Sequence, residues 1–208
     1  MTSIEFITIE VADTAAADRF YDAAFGLGSR VRTRVSDAAT SGFRGFTMSL
    51  IVSQPATVDG FVDSAVATGA KVVKAAEKSL WGYGAVVQAP DGTIWTIASS
   101  SKKNSGPATR EVEAVVLQLG CEDVGASKRF YAERGLTVSK SFGGRYVEFD
   151  SGPVKLTLNK RKALAKNAGV AAEGSGAHRI VIGGDAGAFS DPDGFAWEAA
   201  RSGASATG

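Results

Sequence analysis

Apolar residues alternate at Ile7, Ile9 and Val11 and again at Val115, Leu117 and Leu119, a period of two that predicts half-buried strands. Each run ends on an aspartate, Asp13 or Asp123, placed to cap a following helix with its side chain. The helix carries Phe20–Tyr21 in one case and Phe130–Tyr131 in the other, and Gly26 and Gly28, or Gly135, close it by allowing a left-handed turn. These are copies of one segment: EFITIEVADTAAADRFYDAAFGLG returns as EAVVLQLGCEDVGASKRFYAERGL, with Asp13 and Asp123, and Phe20–Tyr21 and Phe130–Tyr131, each 110 residues apart. APDGTIWTIA also returns, as DPDGFAWEAA. There Pro-Asp-Gly makes a turn and the next strand carries Trp95 or Trp197. Two matches in the same order mark an internal duplication.

The halves differ in the middle. Residues 43–99 read as strand (FRGFTMSLIV), helix (TVDGFVDSAVATGA) and three strands. Residues 112–159 read the same way, with RYVEFD and VKLTLN as the last two strands. The pattern predicts two complete βαβββ units flanked by a reduced one at each end. Residues 99–111, SSSKKNSGPATRE, are polar and aperiodic and read as a linker. The division is 1–98, linker 99–111, 112–201, and a disordered tail at 202–208. Two pairings stay open: units within each half, or complete unit with complete unit and end with end.

Composition narrows the function. The chain has 208 residues, 44% of them hydrophobic, enough for a substantial core. Its 23 basic and 22 acidic residues leave a net charge of +1, without the basic field of a nucleic-acid binder. One Cys excludes an intrachain disulfide framework, and one His excludes a metal site built from several His and Cys of this chain. No secretory leader and no run of about 18 apolar residues is seen, so a cytoplasmic protein without a membrane span is expected.

With these motifs the sequence resembles the vicinal oxygen chelate superfamily, the glyoxalase/bleomycin-resistance/extradiol-dioxygenase fold. The resemblance rests on the strand-Asp-helix openings with their Phe-Tyr pairs, on FVDSAVATGAKVVKAAEKSLWGYGAVVQAPDGTIW and on SDPDGFAWE, and it covers roughly residues 4 to 200. It implies an α+β fold of tandem βαβββ units that form curled mixed sheets around a cup for a small molecule. It implies too a monomer with an internal pseudo-dimer, or a homodimer. Members range from lactoylglutathione lyases, epimerases and ring-cleaving dioxygenases to metal-free proteins that sequester antibiotics.

The same resemblance implies metal ligands on the first and last strands of each unit. The His position, seven residues before the closing Asp, is Phe6 or Val116; the Glu position, four after the Pro-Asp-Gly glycine, is Thr96 in the first half. None of these ligates. Only His178, seven before Asp185, and Glu198, four after Gly194, persist. An incomplete pair holds a divalent metal weakly. The alternative is a strand histidine bonded to Glu198 or to backbone. The expectation is a protein with no cofactor that binds an aromatic or amphipathic metabolite. The other reading is a metal-dependent lyase, isomerase or dioxygenase using His178 and Glu198.

Ligand contacts are expected from the aromatics. Trp81 and Tyr83 lie in the Gly-flanked segment LWGYG, and Trp95, Trp197 and Phe6 lie on strands that a cup brings together. Arg44 is the candidate for balancing a ligand carboxylate or phenolate. Cys121, just before a helix start, is a candidate thiolate, with a buried structural role as the alternative. The basic run Lys160, Arg161, Lys162 and Lys166 reads as a solvated face.

Overall fold

A computed structural model describes residues 2–200; the tail expected at 202–208 lies outside the described residues. The first unit is β1 (Ile4–Val11), α1 (Thr14–Ala24) and β2 (Val31–Val35), followed by a short β3 (Thr40–Gly42). The second is β4 (Phe46–Ile51), α2 (Pro55–Ala67), β5 (Lys71–Ser79), β6 (Gly82–Gln88) and β7 (Ile94–Ser99). The third is β8 (Ala114–Cys121), α3 (Val124–Glu133), β9 (Thr137–Phe142), β10 (Tyr146–Asp150) and β11 (Val154–Lys160). Next come α4 (Arg161–Ala168), β12 (Gly174–Gly176), β13 (Ile180–Gly184), β14 (Phe189–Ser190) and β15 (Ala196–Ala199). The caps follow the sequence pattern: Asp13 accepts from Ala16 N–H and Asp123 from Ala126 N–H, each at 2.9 Å.

Strands on both sides of the linker share each sheet. The complete units join edge to edge in an eight-stranded sheet, β5-β6-β7-β4-β8-β11-β10-β9. Its central junction is the antiparallel pair β4–β8, with Thr47 opposite Gln118 and Ser49 opposite Val116. The reduced ends form a five-stranded sheet, β14-β15-β13-β1-β2, joined by antiparallel β1–β13. The boundaries at 98 and 112 therefore mark the sequence repeat, and the sheets run across them. A complete unit offers β4 or β8 as an edge ready to pair, whereas the end units have too few strands to close a sheet alone.

One face of each sheet is buried by helices. Tyr21 and Phe25 of the α1 region pack on Trp95, with ring centroids 5.6 and 4.8 Å away, and Tyr131 of α3 lies 5.5 Å from Trp197. The two Phe-Tyr motifs are fastened to the two Pro-Asp-Gly turns. Tyr21 Oη donates to Asp91 Oδ2 at 2.5 Å, and Tyr131 Oη to Asp191 Oδ2 at 2.6 Å.

The basic run spans the end of β11 and α4, with Lys160, Lys162 and Lys166 exposed as expected and Arg161 half-buried. The opposite side of α4 is buried: Leu164, Ala165 and Ala168 pack with Phe43, Val86 and Ile94 over the other face of the eight-stranded sheet. Gly120 of β8 makes this approach possible, because a Cβ there would lie 3.0 Å from Arg161 Cα.

Candidate functional site

Alternation along the central strands sets the chemistry of the face that the long helices leave free. Met48, Leu50, Trp95, Ile97, Leu117 and Leu158 turn into the main core. Thr47, Ser49, Thr96, Gln118, Thr157 and Asn159 turn the other way and form a neutral, hydrogen-bonding floor. Thr47 Oγ1 donates to Gln118 Oε1 at 2.8 Å, and Asn159 Nδ2 to Thr157 Oγ1 at 3.2 Å. Two hollows open on this face and share Gln118. The larger, about 390 Å³, is bordered by Lys74, Trp81, Thr96, Asn159 and Leu164. The smaller, about 210 Å³, is bordered by Ser49, Val116, Tyr146, Glu148 and Lys155. Burial and the neighbouring Glu148, which accepts from Tyr146 Oη at 3.1 Å, push the Tyr146 phenol up. It is held as a protonated donor.

The residues expected from sequence are scattered. Trp81 is 85% exposed at the β5–β6 tip, on the rim of the larger hollow. Tyr83 borders the same hollow, but it also packs against the main core, and its hydroxyl donates to Asp59 Oδ1 of α2 at 2.8 Å, a bond that raises its pKa. Trp95 and Trp197 are buried in the helix-side core. Arg44 borders a separate pocket of about 290 Å³ with Phe43, Gln88 and Glu173. Its Nη2 donates to the Asp91 carbonyl, and burial lowers its pKa. Phe6 lies on the free face of the five-stranded sheet, beneath the Arg32 guanidinium.

His178 and Glu198 are not brought together. Glu198 is level with Gly183, five positions beyond His178 along the parallel β13–β15 pair. Arg179, with φ of 55°, breaks the extended path, so His178 lies outside the strand. Its Nδ1 faces the Arg44 carbonyl at 2.6 Å, its Nε2 the Asp193 carbonyl at 3.0 Å, and its ring stacks on Phe195. A doubly protonated ring satisfies both carbonyls and a neutral ring one. Glu198 accepts from Arg34 at 2.9 Å and from Thr8 at 3.4 Å. Among the described residues no three His, Cys, Asp or Glu side chains converge as a ligand set. The donors present do not fit a metal centre. Cys121 is buried, and burial together with Asp193 raises its thiol pKa, the reverse of an activated thiolate.

The floor residues escaped the sequence reading, although a signal existed. Gln118 within VVLQLGC and Thr157 and Asn159 within VKLTLN are polar positions at strand spacing inside apolar runs, the mark of a second, wetter face. Among the described residues no helix is long and apolar enough to cross a membrane.

No family profile matches the sequence, and no curated protein matches it. Solved structures do. Glyoxalase I from Zea mays superposes with a TM-score of 0.59 at 14% identity, over 95% of this chain and 91% of that one. A putative dioxygenase from Bacillus subtilis gives 0.55 at 13% identity, over 92% of this chain and 71% of that one. At such identities the likeness is one of fold.

Proposed function

We propose that this chain, whose fold is that of the vicinal oxygen chelate (glyoxalase/bleomycin-resistance/dioxygenase) proteins, binds a small aromatic or amphipathic metabolite beside α4 on the polar face of its eight-stranded sheet, without a metal ion. One observation carries the reading: the floor at the junction of the two complete units is a set of neutral hydrogen-bonding side chains. Thr47 and Gln118 meet across β4 and β8 there. Such groups orient a polar edge, while Trp81 and Leu164 supply apolar contact at the border of the larger hollow.

The three tryptophans make the test direct. Trp95 and Trp197 are buried and Trp81 is exposed. Titration with N-phenyl-1-naphthylamine, a neutral amphipathic fluorophore, is expected to saturate and to quench Trp81 emission by energy transfer. Trp81→Phe removes that component, and Gln118→Ala weakens binding about tenfold, the loss of one ligand hydrogen bond. Unchanged affinity in Gln118→Ala, or equimolar Mn, Fe, Ni or Zn in protein purified without a His tag, counts against the reading.

A further inference from the structure

The five-stranded sheet has a free face of its own, with different chemistry. β1 and β2 run parallel, with Thr8 opposite Arg32 and Glu10 opposite Arg34. Thr33, between the two arginines, turns the other way and donates to Asp18 of α1 at 2.6 Å. Phe6, Thr8, Glu10, Arg32 and Arg34 therefore share one surface, and Glu198 reaches it from β15. Arg34 lies between two carboxylates, 2.9 Å from Glu198 and 3.4 Å from Glu10. A guanidinium stays charged at any ordinary pH. It thus stands as a permanent cation shared by the two carboxylates.

Arg32 is left over. Among the described residues it pairs with no carboxylate, and its guanidinium lies 3.5 Å from the Phe6 ring centroid. Phe6 owes its place to Gly183, since a Cβ there would come within 2.2 Å of the ring. Stacking fixes the plane of the guanidinium and leaves its outer face and N–H edge at the border of a hollow of about 540 Å³. The other charges at that border are Arg34 and Glu198, already paired, and Glu5, which accepts from Ser3 Oγ at 2.5 Å. The free cation is the group that lacks a partner, and it is presented flat.

We propose that this hollow is a second binding site, for a planar aromatic carboxylate. The carboxylate takes the Arg32 N–H edge and the ring stacks on the guanidinium face, extending the Phe6–Arg32 stack by one layer. The site is separate from the eight-stranded face and stands or falls without it.

The test compares 2-naphthoate with its neutral analogue 2-naphthylmethanol by calorimetric titration of the full chain at low salt. Naphthoate is expected to bind at least about tenfold more tightly, as a charge-assisted bidentate contact requires. Arg32→Gln abolishes that preference with an unchanged thermal midpoint, and Arg32→Lys retains only part of it. Trp81→Phe leaves it intact. Equal binding of the two probes, or an Arg32→Gln protein that still prefers naphthoate, overturns the proposal. Loss of the preference in Trp81→Phe would put the probe on the eight-stranded face and overturns it too.

Discussion

Asp191 is a buried carboxylate with three donors around it. Tyr131 Oη points at Oδ2, and the N–H groups of Asp193 and Phe195 at Oδ1. Burial raises its pKa, and the bonds from Tyr131 and Phe195 offset only part of that rise. The folded state therefore holds this proton more tightly than the unfolded chain. Between the ordinary aspartate pKa, about 3.9, and the raised folded value, native protein binds more protons, so stability falls as pH rises through that window. Asp191→Asn removes the titration while keeping an oxygen for the two N–H groups. Chemical denaturation of both proteins from acid to neutral pH is expected to show the wild type losing stability relative to Asp191→Asn. A constant difference would refute the assignment. The two motifs were legible in sequence here, and they meet, but in the second copy the bonded carboxylate is Asp191, one residue before the Pro-Asp-Gly motif. Side-chain direction was not. Trp95 and Trp197 sit on strands as expected, and Tyr83, expected in a Gly-flanked segment, lies on β6 as well, but alternation separates two faces without saying which one the helices cover.

At the scale of elements, the strand-helix openings could be read because capping and periodicity agree in them. α4 could not, because the signals at its start argue against a helix although Gly169 and Lys166 suit its end. Its cap residue, Lys160, makes no side-chain bond, and no acid stands in its first turn. Arg161 and Lys162 there oppose the helix dipole. Tertiary contacts hold it in place: Arg161 Nη2 donates to the Phe43 carbonyl at 2.6 Å, and Leu164 packs into the small second cluster. Hydrogen exchange is expected to show α4 opening before α2, whose Val58 and Phe61 belong to the main core. Lys162→Glu should raise stability by about 0.3–1 kcal/mol. Leu164→Ala should lower it by about 2–3 kcal/mol and enlarge the larger hollow, measurable as tighter binding of bulkier naphthylamines. Equal protection of α4 and α2 would show that the helix is no weaker than its surroundings.

For the whole molecule, the sequence repeat predicts halves, while the sheets are nested, middle with middle and end with end. The repeat could not reveal this, because both pairings use the same strands and the linker is long enough for either. The linker is also less loose than its composition suggests. Gln54 Nε2 donates to the Pro107 carbonyl at 2.7 Å, Gln54 Oε1 accepts from Ser105 N–H, and Arg110 reaches the Ala24 carbonyl at 2.8 Å. Because β4–β8 and β1–β13 both join the halves, fragments separated after Ser105 should each lack dispersed amide spectra when made alone. A well-dispersed spectrum from either fragment would contradict the nested arrangement.

Nesting also sets a timetable for synthesis. Ile4 in β1 pairs with Gly184, 180 positions later, whereas the eight-stranded sheet is complete at Lys160. At about 5–20 residues per second the first strand leaves the ribosome roughly 10–35 s before its partner. Throughout that interval β1 has β2 on one edge and nothing on the edge that β13 later takes. A strand made before the eight-stranded sheet is thus completed only after it, and a holdase that shields an unpaired strand edge would find its substrate there.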